Sequence, residues 1–258
     1  MHDVPLGWRT DLEVLRRAGS QITDSADHIV VRTPDNPGYY WGNFVYIRDP
    51  ATAADPAACL ALMRRSIPGA SHVAIGLPGP PDVAAWRALD LGVECDEVLA
   101  SDQPPMGREL PDGYHARAFA AADDWEQAIG KELAEAGSPA DPAYADFVRR
   151  RVDSRRRMVA NRDAAFMGVF HGGRLVADLG IVLCDGIARY QSVGTDPAHR
   201  GLGLASHLLQ AAGAWAERRG ATRWVIVADR GSDAARLYRR CGMDPVGQSW
   251  QVYRAGES

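Results

Sequence analysis

Apolar and polar positions alternate in two different rhythms along the second half of this chain. Tyr114 to Ala120 reads as a strand, and Asp123 to Ala136 as a helix that Asp123 or Asp124 is placed to cap. A second helix is predicted from Asp141 to Asn161, because Tyr144, Phe147, Val148, Val152 and Val159 fall near one face at helical spacing. Ala165 to Phe170 and Leu175 to Leu183 read as strands joined at His171-Gly172-Gly173, a hairpin signal. Asp185-Gly186 turns the chain into a further strand, Ile187 to Thr195. A helix follows from about Gly203 to Arg219, with Leu204, Leu208, Leu209, Ala212 and Trp215 on one stripe and Gly220 placed to end it. Arg223 to Ala228 is then a strand, Asp233 to Arg240 a helix and Gln248 to Tyr253 a last strand. Strands that alternate with helices in this way make an α/β (α+β) layer fold with a mixed central sheet flanked by helices.

The first half carries a similar but fainter order. Tyr39 to Ile47 is strand-like, Ala57 to Arg65 helical and Val73 to Leu77 a short strand. Asp82 to Leu89 is helical, Gly92 closes it, and Glu97 to Leu99 reads as strand. Between the halves, Ser101 to Gly113 is rich in Pro and Gly and has no apolar period, so it reads as a linker. The expected division is a smaller α/β domain over 1–104 and a larger one over 105–258.

Composition narrows the classes. The 258 residues carry a formal net charge of -4 and are 46% hydrophobic, the balance of an ordinary soluble globular protein. No apolar run approaches the ~20 residues needed to span a bilayer. The opening residues lack a basic start followed by an apolar stretch, so no signal peptide is expected and the expected compartment is cytoplasmic. Slight acidity argues against a general grip on nucleic acid. Cys59, Cys95, Cys184 and Cys241 stand singly, with no Cys-x-x-Cys pair and no zinc-finger spacing, so no metal site is expected and the thiols read as reduced. Lys131 is the only lysine among 29 basic Lys and Arg residues, which reads as composition bias. The run Arg149 to Arg157 falls off the apolar stripe of its helix and reads as a solvated face. No aromatic residues interleave with it to stack bases.

The chemistry concentrates at Val193-Gly-Thr-Asp-Pro-Ala-His-Arg-Gly-Leu-Gly-Leu-Ala205, where a strand runs through a glycine turn into an amphipathic helix. Unpaired amides and the positive dipole end of a helix N-terminus bind phosphate. Gly201 and Gly203 let the backbone approach an anion, and Arg200 adds a bidentate donor. A P-loop would need Lys followed by Ser or Thr after the last glycine, where Leu204-Ala205 stands. A dinucleotide fingerprint would need a third glycine or alanine where Ser206 stands, and an acidic residue about 20 positions on.

Arg200-Gly-Leu-Gly-Leu-Ala205 fits (Gln/Arg)-x-x-Gly-x-(Gly/Ala) and resembles the pyrophosphate-binding signature of the GNAT N-acetyltransferase superfamily. Asp233-Ala-Ala-Arg-Leu-Tyr-Arg-Arg-Cys-Gly-Met243 is similar to the family's second cofactor motif, with Met243 in place of the usual Phe. Where the family often has Asn before that helix, the loop here reads Asp229-Arg-Gly-Ser232. The resemblance covers about residues 112 to 255. It implies the GNAT acyltransferase fold, acetyl-CoA (coenzyme A) as cofactor, and transfer of an acetyl group to a primary amine of a small molecule or peptide. It assigns the pyrophosphate to the amides of Arg200, Gly201, Leu202, Gly203, Leu204 and Ala205. It places the Val193 amide at the thioester oxygen, Thr195 and Ser232 near the pantetheine arm, and Tyr238 as the acid for the departing thiolate. The alternative reading is a non-catalytic acyl-CoA sensor or interaction module of the same fold.

The base for the amine proton is open among Glu132, Glu135, Asp178, Tyr190 and Gln191. Asp178 leads because strand interiors disfavour aspartate. His199 beside the loop reads as solvated or phosphate-facing, and His207 as structural. Oligomeric state is not legible.

A shift of 150 positions sets Tyr40 on Tyr190, Ile75 on Val225, Ala84-Ala85 on Ala234-Ala235 and Gly92 on Gly242. The first half thus reads as a degenerate GNAT-like half-copy. The same shift sets Pro50 to Asp55 on the phosphate loop and Ala88 on Tyr238, so the first copy is expected to bind no acetyl-CoA. Tyr39, Tyr40 and Trp41 are candidates to wall the acceptor site or to pack in a core.

Overall fold

The computed structural model describes residues 4–136 and 141–255; the remaining residues of the two expected domains lie outside the described ones. In chain order the first elements are α1 (Leu6–Ala18), β1 (Gln21–Asp24), β2 (His28–Arg32), β3 (Phe44–Ile47), α2 (Pro50–Ala53), α3 (Pro56–Ser66), β4 (Val73–Leu77), α4 (Val83–Arg87) and β5 (Gly92–Ser101). Then come β6 (Tyr114–Ala118), α5 (Ala122–Glu135), α6 (Pro142–Ala160), β7 (Ala164–His171), β8 (Arg174–Cys184), β9 (Ile187–Thr195), α7 (Leu204–Glu217), β10 (Arg223–Asp229), α8 (Asp233–Arg240) and β11 (Asp244–Arg254). The chain divides into two compact units. One holds the described residues up to Val98 with 228–230 and 246 onward, and the other holds 99–227 and 231–245.

In the first unit the strands lie in the order β1-β2-β3-β4-β11-β5. The last strand of the chain pairs antiparallel with β4, from Trp250↔Leu77 to Arg254↔Val73. Strand alternation serves two cores. Val30, Val45 and Ile47 point into one with Cys59, Met63 and Trp86, while Ile29, Val31, Phe44 and Tyr46 point into the other with Trp8, Leu12 and Leu15. Burial on both faces explains why β3 is a continuous apolar run rather than an alternating one. Helix α1 supplies the second face through Trp8, Leu12 and Leu15, at i, i+4 and i+7, and ends on Gly19 at φ 102.

The expected strand from Tyr39 begins late. Tyr40–Gly42 is a 3₁₀ turn, because the Asn43 side chain takes the Thr33 amide and donates to the carbonyls of Asn36 and Tyr39, fixing a loop there. Trp41 packs near Trp8 and Phe44, and Tyr40 stacks on His72, so both serve the first unit's own packing. The strand read at Glu97 to Leu99 extends over Gly92–Ser101. Elements α1, β1 and β2 occupy a stretch for which the sequence reading held no expectation.

In the second unit the strand order is β10-β9-β8-β7-β6, antiparallel except that β10 and β9 run parallel. Helices α5 and α6 pack together over β7 and β8, and α7 packs on β7, β8 and β9. Helix α7 buries Leu204, Leu208, Leu209 and Ala212, the stripe read from the sequence, while Trp215 is half-buried.

Ser101 to Gly113 was expected to be a linker, but its middle is packed. A Cβ on Gly213 of α7 would meet Pro105 Cδ at 3.2 Å and Pro104 Cβ at 3.3 Å. One on Gly107 would lie 2.5 Å from the Ser206 carbonyl oxygen. The Met106 amide donates to the Cys241 carbonyl at 2.8 Å, and His207 Nδ1 donates to the Arg108 carbonyl at 2.9 Å. Residues 104–108 are therefore a strap along α7. Pro and Gly serve here not as flexible spacers but because they are thin enough to lie against a helix.

Helix α5 shows what sets an element's start. Asp124, at its third position, accepts from the amides of Ala120 and Ala121 and from both terminal nitrogens of Arg117. Its carboxylate is 1% exposed. The Arg117 bonds, opposed by burial and helped by the two amides, hold this carboxyl far below the usual range. Its stabilisation is therefore complete above the ordinary carboxylate pKa and drains away as pH falls below it. Asp124→Ala is expected to cost about 2–4 kcal/mol at neutral pH by urea denaturation. That difference from wild type should shrink as the pH is taken below 4.

Candidate active site

Strands β9 and β10 are in parallel register at only three pairs, Ile187↔Arg223, Ala188↔Trp224 and Arg189↔Val225. Beyond these pairs β9 runs on to Thr195 and β10 to Asp229 with no further pairing between them among the described residues. On its other side β9 carries a bulge. Asp178 of β8 pairs with Gly194 and Gly180 with Gln191, so Leu179 opposes both Ser192 and Val193. Ser192 takes a positive φ of 49° to make room. Val193 thus lies at the bulge, in the part of β9 beyond its pairing with β10. Val193, Gly194 and Thr195 are all half-exposed.

The chain then turns through Pro197–His199 and Arg200 into α7. The turn is anchored: Asp196 caps Ala198, its amide donates to the Val176 carbonyl, and His199 Nδ1 meets the Tyr114 hydroxyl at 2.9 Å. Tyr114 also stacks on His171. His199 thus serves to fix the loop rather than standing in solvent. Gly201 and Gly203 sit at φ 78° and 80°, which their residue type permits. Gly203 opens α7 with no side-chain cap, so the first amides of the helix are claimed by no side chain. Arg200 is exposed, with Nε donating to the Thr195 carbonyl, and Leu202 is exposed too. Leu204 is buried and contributes its amide alone; Ala205 follows it half-exposed.

Behind the bulge lies an ion network that the sequence reading divided among separate candidates. Lys131 Nζ lies 2.9 Å from both Asp178 Oδ1 and Glu135 Oε1. A Cβ on Gly194 would fall 2.5 Å from that same Nζ, so only glycine lets the ammonium sit over β9. Arg155 donates to Ser192 Oγ at 2.6 Å and pairs with Glu132, which Arg151 also holds. Arg151 and Arg155 are therefore turned inward, against the expectation that the whole arginine run forms a solvated face. The lone lysine is likewise not mere composition bias: its compact ammonium fits over a glycine and between two carboxylates. Burial opposes its charge, but Asp178 and Glu135 together outweigh that and hold its pKa above the ordinary value. Burial pushes Asp178 upward, and the pull of Lys131 and Arg155 does not fully offset it.

Tyr238 lies on α8 and is 5% exposed. Ser232 is engaged as the N-cap of that helix, its hydroxyl accepting from the Ala235 amide at 3.1 Å. Tyr190 drops out as a base. It is fully buried, its hydroxyl donates to the Leu209 carbonyl at 2.7 Å, and burial drives its pKa far upward. Glu132 and Glu135 are bound into ion pairs. Gln191 lies in register with Gly180. His207 holds the strap, as described above.

The first unit repeats the parallel strand pair, with Val45 on Ile75 where the second has Arg189 on Val225. The offset is 144 positions on one strand and 150 on the other, so the first run is six residues shorter between its strands. Tyr40 therefore does not match Tyr190. Helix α3 opens on Asp55, whose carboxylate accepts from the Ala58 amide, and α2 and α4 are capped by Asp49 and Asp82. A pocket of about 330 Å³ lies there, lined by Pro50, Leu77, Pro78, Pro81, Asp82 and Trp86 among others. Carboxylates occupy those helix starts where α7 leaves its amides open.

Among the described residues no metal-binding cluster occurs, and no helix is long and apolar enough to cross a membrane. Lys131→Met would leave Asp178 inside without its nearest cation, at a cost on the order of 3 kcal/mol at pH 8. Because the folded-state pKa of Asp178 then rises further above its unfolded value, this cost should shrink toward pH 4. Chemical denaturation across that range checks both the size and the sign.

Residues 122–243 match the model of the acetyltransferase (GNAT) family. No curated protein matches the chain. Among solved structures, a conserved protein of unknown function from Staphylococcus epidermidis superposes with a TM-score of 0.74 at 14% identity, over 93% of this chain and 96% of that one. A GCN5-related N-acetyltransferase from Kribbella flavida gives 0.65 at 19% identity, over 98% and 96%. A tandem GNAT protein from the clavulanic acid biosynthesis pathway gives 0.54 at 14% identity, over 93% and 84%. These likenesses carry the fold alone; it is the family match that identifies residues 122–243 of this chain as a GNAT acetyltransferase domain.

Proposed function

We propose that this chain is an acetyl-CoA-dependent N-acetyltransferase acting on a primary amine of a small molecule or peptide. The observation that carries the reading is the parting of β9 from β10 after Arg189 and Val225, directly upstream of a helix start that no side chain caps. An elongated ligand with a diphosphate at one end fits that arrangement. The amides of Gly201 to Ala205 take the diphosphate with Arg200, and the unpaired edges of β9 and β10 take the pantetheine arm. Thr195 lies at the end of β9, and Ser232, which caps α8, is assigned to the pantetheine arm in this reading.

Bound acetyl-CoA supplies the activated thioester. The Val193 amide, freed by the bulge, donates to the carbonyl oxygen as negative charge gathers there. Tyr238 gives its phenolic proton to the departing sulfur. Asp178 takes the proton from the attacking amine, with Lys131 holding its carboxylate beside Gly194. Burial on the carboxylate side makes Asp178 more basic than a free aspartate, the direction a base requires. The first unit, with aspartates over its helix starts, takes no cofactor in this reading.

Tyr238→Phe is expected to lower kcat by tenfold or more, with CoA affinity within twofold of wild type. Asp178→Asn should lower kcat by about a hundredfold with the same unchanged affinity. Thiol release from acetyl-CoA across an amine panel reads the rates. Calorimetry reads the affinity and should give one cofactor per chain. CoA binding with no thiol release on any amine would turn the reading toward a sensor.

A further inference from the structure

We infer that Arg108, carried on the strap, is a second cation for the phosphates of coenzyme A at the α7 loop. The inference rests on the cofactor reading above and adds to it a residue that lies outside the stretch matched to the family. Three observations converge on it. The strap is fixed up to and at Arg108: the Met106 amide is bonded to Cys241, Gly107 lies against the Ser206 carbonyl, and the Arg108 carbonyl accepts from His207. The Arg108 stem lies over Gly203, since a Cβ there would be 3.2 Å from Arg108 Cβ and 3.1 Å from Cδ. The guanidinium begins one bond beyond that Cδ. It makes no hydrogen bond or ion pair among the described residues, and the side chain is exposed.

An arginine on the surface commonly pairs with a nearby carboxylate. This one is pinned by its backbone and stem while its charged end is left open beside the loop that also carries Arg200. Two arginines from different segments thus belong to the one loop: Arg200 within it, and Arg108 with its stem over Gly203 and its charge also near Cys241. Phosphate oxygens are the ligand such donors match, because a planar fork binds them bidentately. Coenzyme A offers a diphosphate and a ribose 3′-phosphate, and both share this chemistry.

The glycines give the arrangement its sequence logic. A side chain at Gly203, strained at its positive φ, would crowd the Arg108 stem, and one at Gly107 would push the strap from the α7 backbone. The strap thus couples the placement of a cofactor contact to the packing of α7, and it does so from residues that precede the domain's first strand.

The test uses the full chain and calorimetric titration with CoA, 3′-dephospho-CoA and inorganic diphosphate. Arg108→Met keeps the aliphatic stem on Gly203 and removes the charge. It is expected to weaken CoA binding by about tenfold, with a shallower salt dependence and an unchanged melting temperature of the free protein. Arg108→Lys should recover part of the loss. If 3′-dephospho-CoA binds wild type and Arg108→Met alike, the contact is to the 3′-phosphate. If it shows the same loss as CoA, the contact is to the diphosphate. Either result supports the inference. CoA affinity in Arg108→Met equal to wild type overturns it while leaving the cofactor reading intact. Failure of the wild-type chain to bind CoA at all overturns both.

Discussion

A parallel strand pair that stops pairing after three residues sets a physical problem that the rest of the second unit answers. Backbone amides and carbonyls inside a sheet must find partners, and leaving them open costs free energy unless water or a ligand takes them. Here the opening is enforced rather than incidental. The bulge at Ser192 and Val193 bends β9, and Arg155 on Ser192 with Lys131 over Gly194 holds the bent backbone from the helix side. The loop below is tied to Tyr114 and His171 through His199. The cleft is thus prepared before any ligand arrives, the condition under which binding wastes least on ordering.

The same logic places charge. On one side of β9 sits a network with three carboxylates and three cations, Glu132, Glu135 and Asp178 against Lys131, Arg151 and Arg155. It is balanced within itself, so it rigidifies the bulge without casting a strong net field. At the loop the balance is absent: among the described residues Arg200 and Arg108 have no carboxylate partner, and the amides of α7 add their own partial charge. One region pairs its charges internally and the other leaves them unpaired; in the proposed reaction Asp178 belongs to the first and the phosphate contacts to the second.

Much of this was legible in the residues and some of it was not. Period and punctuation placed β9 and α8 to the residue and most other elements of the second unit within two, because amphipathic stripes with Gly and Pro stops are local signals. The phosphate loop was legible as a strand, a glycine turn and a leucine-rich helix. What escaped depends on contacts between residues far apart in the chain. Lys131 looked like composition until Gly194 and Asp178 met it; its scarcity was the only signal. Tyr190 looked like a candidate base until its hydroxyl was found closed on Leu209. The strap looked like a linker because Pro and Gly mark flexibility and close packing alike, and only the partner surface tells them apart.

The two runs of strand, helix, strand, helix and strand show how little separates an uncapped helix start from a closed one. Their parallel strands meet in the same way, and each places a helix after the first strand of the pair. The second run spends six more residues between its paired strand positions, in a longer β9 and a longer α7, while the connection from strand into helix has the same length in both, 48–55 and 196–203. The two connections differ in sequence: the second ends in the glycine loop that leads into α7, and the first ends in Asp55-Pro56, where the aspartate turns back on its own helix. Such a cap is worth about 1 kcal/mol to the helix. It also sets a fixed negative charge where a phosphate would have to sit, and prolines then fill the surrounding wall. Stability of the helix and affinity for an anion compete for the same few amides, so a copy relieved of binding would gain by closing its own end. The open, uncapped start of α7 is the costlier choice, and a bound anion is what would offset it.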